Sequence, residues 1–559
     1  MRPTVLTGGR LHCMDEHRTR ADAIAYADGK ILAVGDRVAV VEAAGPEATL
    51  HDLGGATVLP GFVDAHHHVS ISALYGGLVR LTPPGVTDIP SLQAALAEAA
   101  RGLAPGRWVV AMEWDEGLLA ERRPPTRSEL DEAVGDRPLF ALHQTCHRAL
   151  ANSRALELAG IGRHTPNPAG GTISRCATGL PDGLLIERGM SRVESLARPD
   201  LAAHDAEGFL ARMAEHYRAL VAVGITRVAD TAAPADLLTL YRASASRGEV
   251  LVPTLICPVS TTGYLEEPWD VLDGPVTGEQ DGPLRIGPVK LVFDGAPGCS
   301  MCLGWWQTFG ALVRTAALSL RLGSFDPLRT SMSIVPRYGR QVRSGVAIYQ
   351  AAEAERMVRG LLERGFGVAT HAIGNAAVEV AVGAYEAAGA GVHASGAPRI
   401  EHGAFASRAL VERIAGVGAG VAVQPAFLAM PSMSGVVRVS GLPIFPLRWM
   451  LDAGITVAGS SDYPVAGFDP LEGIRRAVSR QNARGEVVDE EQRISVEEAV
   501  HLYTAGGAAL CGSLNESGTL EVGKRADLVV LGGGLDALEE ASVRATVIGG
   551  EIVYGQLGG

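Results

Sequence analysis

Phe62-Val-Asp-Ala-His-His-His68 is a short apolar run that ends in three consecutive histidines. In an extended chain residues i and i+2 share a side, so His66 and His68 face one way and His67 the other. Two imidazoles so placed can grip one metal ion; the competing reading is a polar strand end capped by histidines. Asp64 is read as a structural or ligand-supporting residue. The same design recurs along the chain. Short apolar runs lead to Asp230 (Gly224-Ile-Thr-Arg-Val-Ala-Asp230), to His371 (Gly365-Phe-Gly-Val-Ala-Thr-His371), to His402 (Pro398-Arg-Ile-Glu-His402) and to Asp462 (Gly454-Ile-Thr-Val-Ala-Gly-Ser-Ser-Asp462), while Gly287-Pro-Val-Lys-Leu-Val-Phe-Asp294 carries Lys290 inside. Helical patterns alternate with these runs at 91–101, 205–223, 350–364, 376–388 and 495–510. Alternating strands and helices predict a parallel α/β fold. In a (β/α)8 barrel the C-terminal strand ends converge on one active site, and chemical side chains recurring there are hard to explain as packing.

Working outward, 559 residues exceed the ~250 of a plain barrel, so insertions are expected. The two chain ends read differently. Ala23 to Gly35 is a pair of apolar runs around Asp28-Gly29, and Thr546 to Tyr554 turns at Gly549-Gly550, both hairpin signals. Lys and Arg total 49 against 62 Asp and Glu, a net charge of −13, which argues against nucleic-acid binding. Seven scattered Cys point to a reducing, cytoplasmic compartment rather than a disulfide framework. No apolar run reaches the ~18–20 residues of a membrane span. The first residues lack a basic start followed by an apolar stretch, so no secretory leader is expected. The expected partner is a small-molecule substrate, with neither nucleic acid nor membrane, and a homodimer is the default assembly.

Each candidate site residue has a plain and a chemical reading. His371 and His402 are either satisfied core histidines or, together with His66 and His68, metal ligands; neutral imidazoles suit zinc and related ions. Asp462 either caps a turn or serves as ligand and general base. Lys290 inside an apolar strand is either paired with Asp294 or snorkelling, or else a neutral amine carboxylated by CO2 into a carbamate that bridges two metals. Cys299-x-x-Cys302 stands alone and is read as chemically inert. Between Asp294 and Glu353 lie Arg314, Arg321, Arg329, Arg337, Arg340 and Arg343, with Asp326 as the only acid. This stretch, 296–345, reads as a lid whose Trp305 and Trp306 wall a substrate group, or as a surface excursion or subunit contact.

The order His-x-His, Lys, His, His, Asp resembles the amidohydrolase superfamily of metal-dependent hydrolases. Trp108-Val-Val-Ala-Met-Glu-Trp-Asp115, His147-Arg-Ala-Leu-Ala-Asn152-Ser153, Gly170-Gly-Thr-Ile173, Lys290-Leu-Val-Phe-Asp-Gly295, His371-Ala-Ile-Gly374, Gln424-Pro425 and Ser461-Asp462 resemble the amidohydrolase-3 branch, which includes the N-substituted formamide deformylases. The resemblance covers nearly the whole chain. It implies a distorted (β/α)8 TIM barrel at 57–514, with an insertion around 80–205, beside a small β-sandwich built from 1–56 and 515–559. It implies metal ligands at His66, His68, His371, His402 and Asp462 and a carboxylated lysine at Lys290, holding one or two divalent ions, zinc first. By the resemblance His147 or Asn152 reaches the substrate, a structural hydrogen-bonding role being the alternative; Trp114, following the apolar run Trp108–Met112, either lines the pocket or packs. Asn375 departs from the branch, where Asp is usual, and the segment after Gly295 is longer than the branch leads one to expect.

The activity expected is hydrolysis of a non-peptide C–N bond of an N-formyl or N-acyl amine. Asp462 shuttles the proton from water to the leaving nitrogen, and His402 or a nearby donor helps hold the oxyanion. The rivals are heterocycle deamination with one metal, hydrolysis of a carbamate, ester or cyclic amide at the same site, and a metal-binding scaffold without catalysis.

Overall fold

A computed structural model describes residues 2–295, 299–304, 306, 309–310, 313, 316, 335–338, 341–389, 396–430 and 441–557. Both chain ends enter one eight-stranded sheet. It contains Thr4–His12, Arg20–Ala27, Lys30–Gly35, Thr49–Asp52 and Thr57–Pro60 from one end, and Leu528–Gly532, Ser542–Ile548 and Glu551–Gly555 from the other. The two expected hairpins form. Asp28 and Gly29 have φ of 49° and 76°, and Gly549 and Gly550 have 56° and 80°, the positive values that a two-residue turn with the strand's own twist demands. Ala526 links the two turns: its N–H donates to Gly29 O at 2.9 Å and its carbonyl accepts from Gly550 N at 3.0 Å. Leu6, Leu11, Ile24, Val58, Leu528, Val530 and Val547 share the apolar core of this unit.

The boundary of that sheet differs from the expectation. Thr57–Pro60, assigned above to the barrel, pairs with Thr4–His12 on one side and Leu528–Gly532 on the other. The chain changes layers at Gly61. Its N–H donates to Asp527 O at 2.9 Å, and a Cβ there would fall 2.2 Å from the Thr226 side chain, so only glycine passes.

Parallel strands follow. Phe62–His67, Ile225–Pro234, Thr254–Val259 and Leu284–Ile286 pair in parallel in one sheet; Val289–Val292, Val368–Ala372, Arg399–His402, Gly420–Val423 and Val457–Gly459 do so in another. Backbone hydrogen bonds join the two sheets at both margins: Gly287 N to Ile256 O, and Asp462 N to His66 O, each 2.7 Å. The expected helices appear as Ile89–Arg101, Ala206–Ala222, Ala351–Leu362 and Asn375–Ala388. The helix expected over 495–510 instead breaks into Val496–Leu502 and Ala505–Leu510. Tyr503 O accepts from Val63 N at 2.7 Å, which takes that carbonyl out of the helical ladder. Among the described residues, no helix is long and apolar enough to cross a membrane.

Residues 79–187 build a further six-stranded sheet with its own apolar core, including Leu81, Leu92, Leu96, Leu130 and Leu150. Trp114, expected at the substrate pocket, belongs to this core instead. It is fully buried, donates Nε1–H to Ala141 O at 3.0 Å, and meets the His143 ring edge-on at 4.6 Å and the Arg148 guanidinium at 5.3 Å. Val109 and Ala111 face the same core, and a register shift between Met112 and Trp114, where Glu113 has φ 64°, swings the ring to their side, where burial and its N–H partner hold it. Trp114→Ala is expected to cost about 3–5 kcal/mol in a urea melt while leaving KM for an accepted substrate unchanged.

Candidate metal centre

The alternation of strand Phe62–His67 brings His66 Nε2 and His68 Nε2 to one oxygen, Asp462 Oδ1, at 3.2 and 2.9 Å. His66 donates Nδ1–H to Glu401 Oε2 at 2.5 Å, and Glu401 is braced in turn by Arg399 Nε at 2.6 Å. With that proton placed, the His66 Nε2 lone pair faces a carboxylate oxygen. Two acceptors face each other, an arrangement that a cation relieves. His402 repeats the pattern. Its Nδ1–H donates to Gln424 Oε1 at 2.7 Å, and its Nε2 lies 3.0 Å from His371 Nδ1. The His371 and His402 rings are 4.5 Å apart, and the His66 and His402 rings 4.9 Å. Among the described residues, His68 Nδ1 and His371 Nε2 are buried without a hydrogen-bond partner, with Asp294 Oδ1 3.5 Å from the latter. The donor set therefore fits a divalent cation, and it is the buried one: His66, His68 and Asp462 have ligand atoms within 4.8 Å of one another.

The electrostatics agree with that fit. Burial pushes His68, His371 and His402 below the usual imidazole range, His402 to about 3, so they are neutral and able to ligate. Burial alone would raise the Asp462 carboxyl, but His66, His68 and His402 outweigh it and hold it well below its ordinary value. Lys290 is 3% exposed, and burial lowers its pKa against the pull of Glu401 and Asp462. Among the described residues its ammonium has no hydrogen bond or ion pair, and the pairing with Asp294 does not form. Asp294 instead accepts from the backbone N–H groups of Ser300, Ile373 and Gly374 at 2.9–3.0 Å. Burial pushes that carboxyl up to about 7.

Two of these residues hold strained backbone. His402 has φ 76° and Asp462 φ 58°, the left-handed region that non-glycine residues seldom adopt. His402 ends strand Arg399–His402 and Asp462 follows strand Val457–Gly459, where the backbone turn re-aims each side chain toward the cluster.

His147 also approaches this cluster. Its ring lies 6.4 Å from that of His371, and its Nδ1 bonds Glu187 Oε2 at 2.8 Å. Burial alone would lower its pKa, but the Glu187, Asp294 and Asp462 carboxylates raise it above the ordinary value. Asn152 does not reach the site. Fully buried, it caps helix Ser153–Leu158 through Ala155 N and accepts from Leu139 N, both at 3.0 Å, while its amide donates to Arg137 O at 2.9 Å. Its side chain is fully spent on the backbone of the insertion. Trp306 is 87% exposed; Trp305 and the side chains of the six arginines fall outside the described residues. Asn375 takes a structural place, bridging Cys302 N and O at 2.8 and 3.1 Å. Asp230 Oδ2 accepts from Ser70 N at 2.8 Å and from the Tyr241 hydroxyl, while Oδ1 is buried with no hydrogen-bond partner among the described residues.

Comparison with known proteins follows from this geometry. A family model described as the amidohydrolase family matches residues 49–554. The chain belongs to the amidohydrolase family. It is 28% identical to the N-substituted formamide deformylase of Arthrobacter pascens over 567 residues, covering 100% of this chain and 99% of that one. A metal-dependent hydrolase from Pyrococcus horikoshii OT3 shares the fold with a TM-score of 0.68 at 22% identity, over 95% of this chain and 98% of that one. The atrazine chlorohydrolase of Arthrobacter aurescens TC1, solved in complex with zinc, does so with a TM-score of 0.51 at 14% identity, over 99% and 96%. This amidohydrolase is thus a metal-dependent hydrolase that acts on carbon–nitrogen bonds.

Several residues of the amidohydrolase's site escaped the sequence reading. Glu401 and Arg399 lie in the quoted run to His402, yet only the fold turns Glu401 toward His66. Gln424, just past strand Gly420–Val423 and quoted above only for the resemblance, and Glu187, the last residue of strand Pro181–Glu187, each fix a histidine tautomer. The second acidic group, Asp115, Glu116 and His143, already holds a cation: Arg148 bonds both Glu116 oxygens at 2.8 Å and His143 Nε2 at 2.6 Å.

Proposed function

We propose that this amidohydrolase hydrolyses the amide bond of a small N-formyl or N-acyl amine, releasing the free amine. The observation that carries the reading is the meeting of His66 Nε2 and His68 Nε2 on Asp462 Oδ1, at 3.2 and 2.9 Å, beside the facing His371 and His402 nitrogens. His66, His68, His371, His402 and Asp462 are the proposed ligands, with zinc as the first choice among divalent ions. The lone buried Lys290 supports a neutral amine carboxylated by CO2, which would make the centre binuclear. The full-length likeness to a formamide deformylase supports the N-formyl class. The parallel strands are read as one distorted (β/α)8 barrel and the terminal sheet as a folded-over β-sandwich.

A divalent ion bound there supplies Lewis acidity toward the carbonyl and brings the pKa of water near neutrality. Asp462 Oδ1 takes the proton of the attacking water and returns it to the leaving nitrogen, so that an amine and not an amide anion departs. His402, its Nδ1–H given to Gln424, turns the Nε2 lone pair into the same space as a ligand and has no N–H left for the carbonyl oxygen's developing charge, which falls to a nearby donor instead. His147, oriented by Glu187, faces the cavity from the insertion and offers a contact to the substrate. The test is product mass on a panel of N-formyl and N-acyl amines, with metal content measured before and after dialysis against a chelator and with bicarbonate added. Formate and free amine are expected from N-formyl amines, with activity lost on chelation and restored by zinc. No amine released from any member of the panel, or activity indifferent to metal removal, overturns the reading.

A further inference from the structure

We propose that Asp64 is the positioning residue that sets the affinity of the metal centre, with His67 and His216 as its backing. The inference rests on the metal reading given above. Asp64 is 2% exposed and receives contacts from two segments of the chain. From its own strand, His66 N approaches Oδ1 at 3.3 Å and His67 Nδ1 approaches Oδ2 at 2.9 Å. From the segment that carries Asp462, Ser461 N approaches Oδ1 at 3.0 Å and Ser461 Oγ approaches Oδ2 at 2.6 Å. One carboxylate thus ties the strand bearing His66 and His68 to the turn bearing Asp462. Ser461 Oγ passes the tie on by accepting from Tyr463 N at 3.0 Å. The three ligand side chains then start from a fixed backbone spacing, which a metal need not gather for itself.

The middle histidine, which cannot face the metal, locks this tie. Because Asp64 accepts, His67 carries its proton on Nδ1 and turns a lone pair on Nε2 outward. His216 Nε2, on helix Ala206–Ala222, lies 2.6 Å away and is the donor to it. Tyr463 stacks on both rings, at 5.3 Å from His67 and 5.2 Å from His216, and Phe468 closes the side at 5.9 and 5.5 Å. The pair is walled by aromatic rings, so one direction of donation, from His216 through His67 to Asp64, holds the carboxylate in place.

The experiment is zinc affinity of the whole protein, measured by competition with a chromogenic chelator, together with the visible spectrum of the cobalt-loaded protein. Asp64→Ala is expected to weaken zinc binding about 10–100-fold. Asp64→Asn, which keeps an acceptor for the two backbone N–H groups, should recover part of that loss, and His216→Phe should weaken binding less while still shifting the cobalt bands. If Asp64→Ala does not fold, Asp64→Asn and His216→Phe carry the test. Affinity within about threefold of wild type and unchanged cobalt bands in every folded variant would overturn the inference alone. A wild-type protein that binds neither zinc nor cobalt overturns the metal reading and the inference with it.

Discussion

Asp462→Asn is expected to lower kcat by about 10²–10⁴-fold while the protein stays folded. The substitution keeps Oδ1, so the contacts from His66 and His68 can persist. It removes the ability to accept and return a proton. It also respects the backbone, because Asp462 has φ 58° and Asn tolerates the left-handed region as well as Asp does. The assay is kcat on the best substrate of the panel, alongside far-ultraviolet circular dichroism and bound zinc per chain. Turnover that persists with normal zinc content would move the proton shuttle to another residue.

The second large effect is on stability. Glu401→Ala is expected to destabilise the protein by about 3–5 kcal/mol, the cost of leaving a buried charge without its partner. Arg399 is 1% exposed, and Glu401 holds it through Nε at 2.6 Å and Nη2 at 3.1 Å. Arg399 and His66 outweigh burial and keep the Glu401 carboxyl well below its ordinary range, so the pair is charged in the fold. The same carboxylate accepts Nδ1–H of His66, and the variant therefore frees that ring as well. A urea unfolding midpoint reads the first effect and zinc affinity the second. Replacing Arg399 and Glu401 together by Met should return much of the stability but none of the zinc affinity, because only the charge imbalance is cured. A Glu401→Ala midpoint equal to wild type would mean that Arg399 finds other compensation.

The parts of this protein that were legible in its sequence are those written in local pattern. The period-two run into His66 and His68 announced a shared side, and the structure puts both rings on Asp462. The Asp28-Gly29 and Gly549-Gly550 pairs announced hairpins because the turn itself needs positive φ. Alternating runs announced parallel strands and placed His371, His402 and Asp462 just at or past their ends. What stayed hidden depends on which way a side chain turns after the chain has packed. Trp114 and Asn152 occur in stretches that resemble a functional motif, yet packing and capping consume both. Glu401 gave no separate signal, being one more acid in a strand, and its role exists only because Arg399 and His66 flank it from different directions. His216 is a lone histidine on a long helix, with no spacing to link it to His67. The split of the run through Gly61 was equally silent, since the contact that forbids a side chain there comes from Thr226.

That split bears on how the protein is made. Strand Thr57–Pro60 leaves the ribosome early, whereas Leu528–Gly532, which completes one of its two edges, leaves it almost a whole chain later. At roughly 5–20 residues per second the interval is tens of seconds. Through that time the strand carrying the first two histidines hangs from a half-paired neighbour, one glycine away. The geometry of the candidate metal centre therefore waits for the late strand, and its assembly belongs to the slow, long-range end of folding.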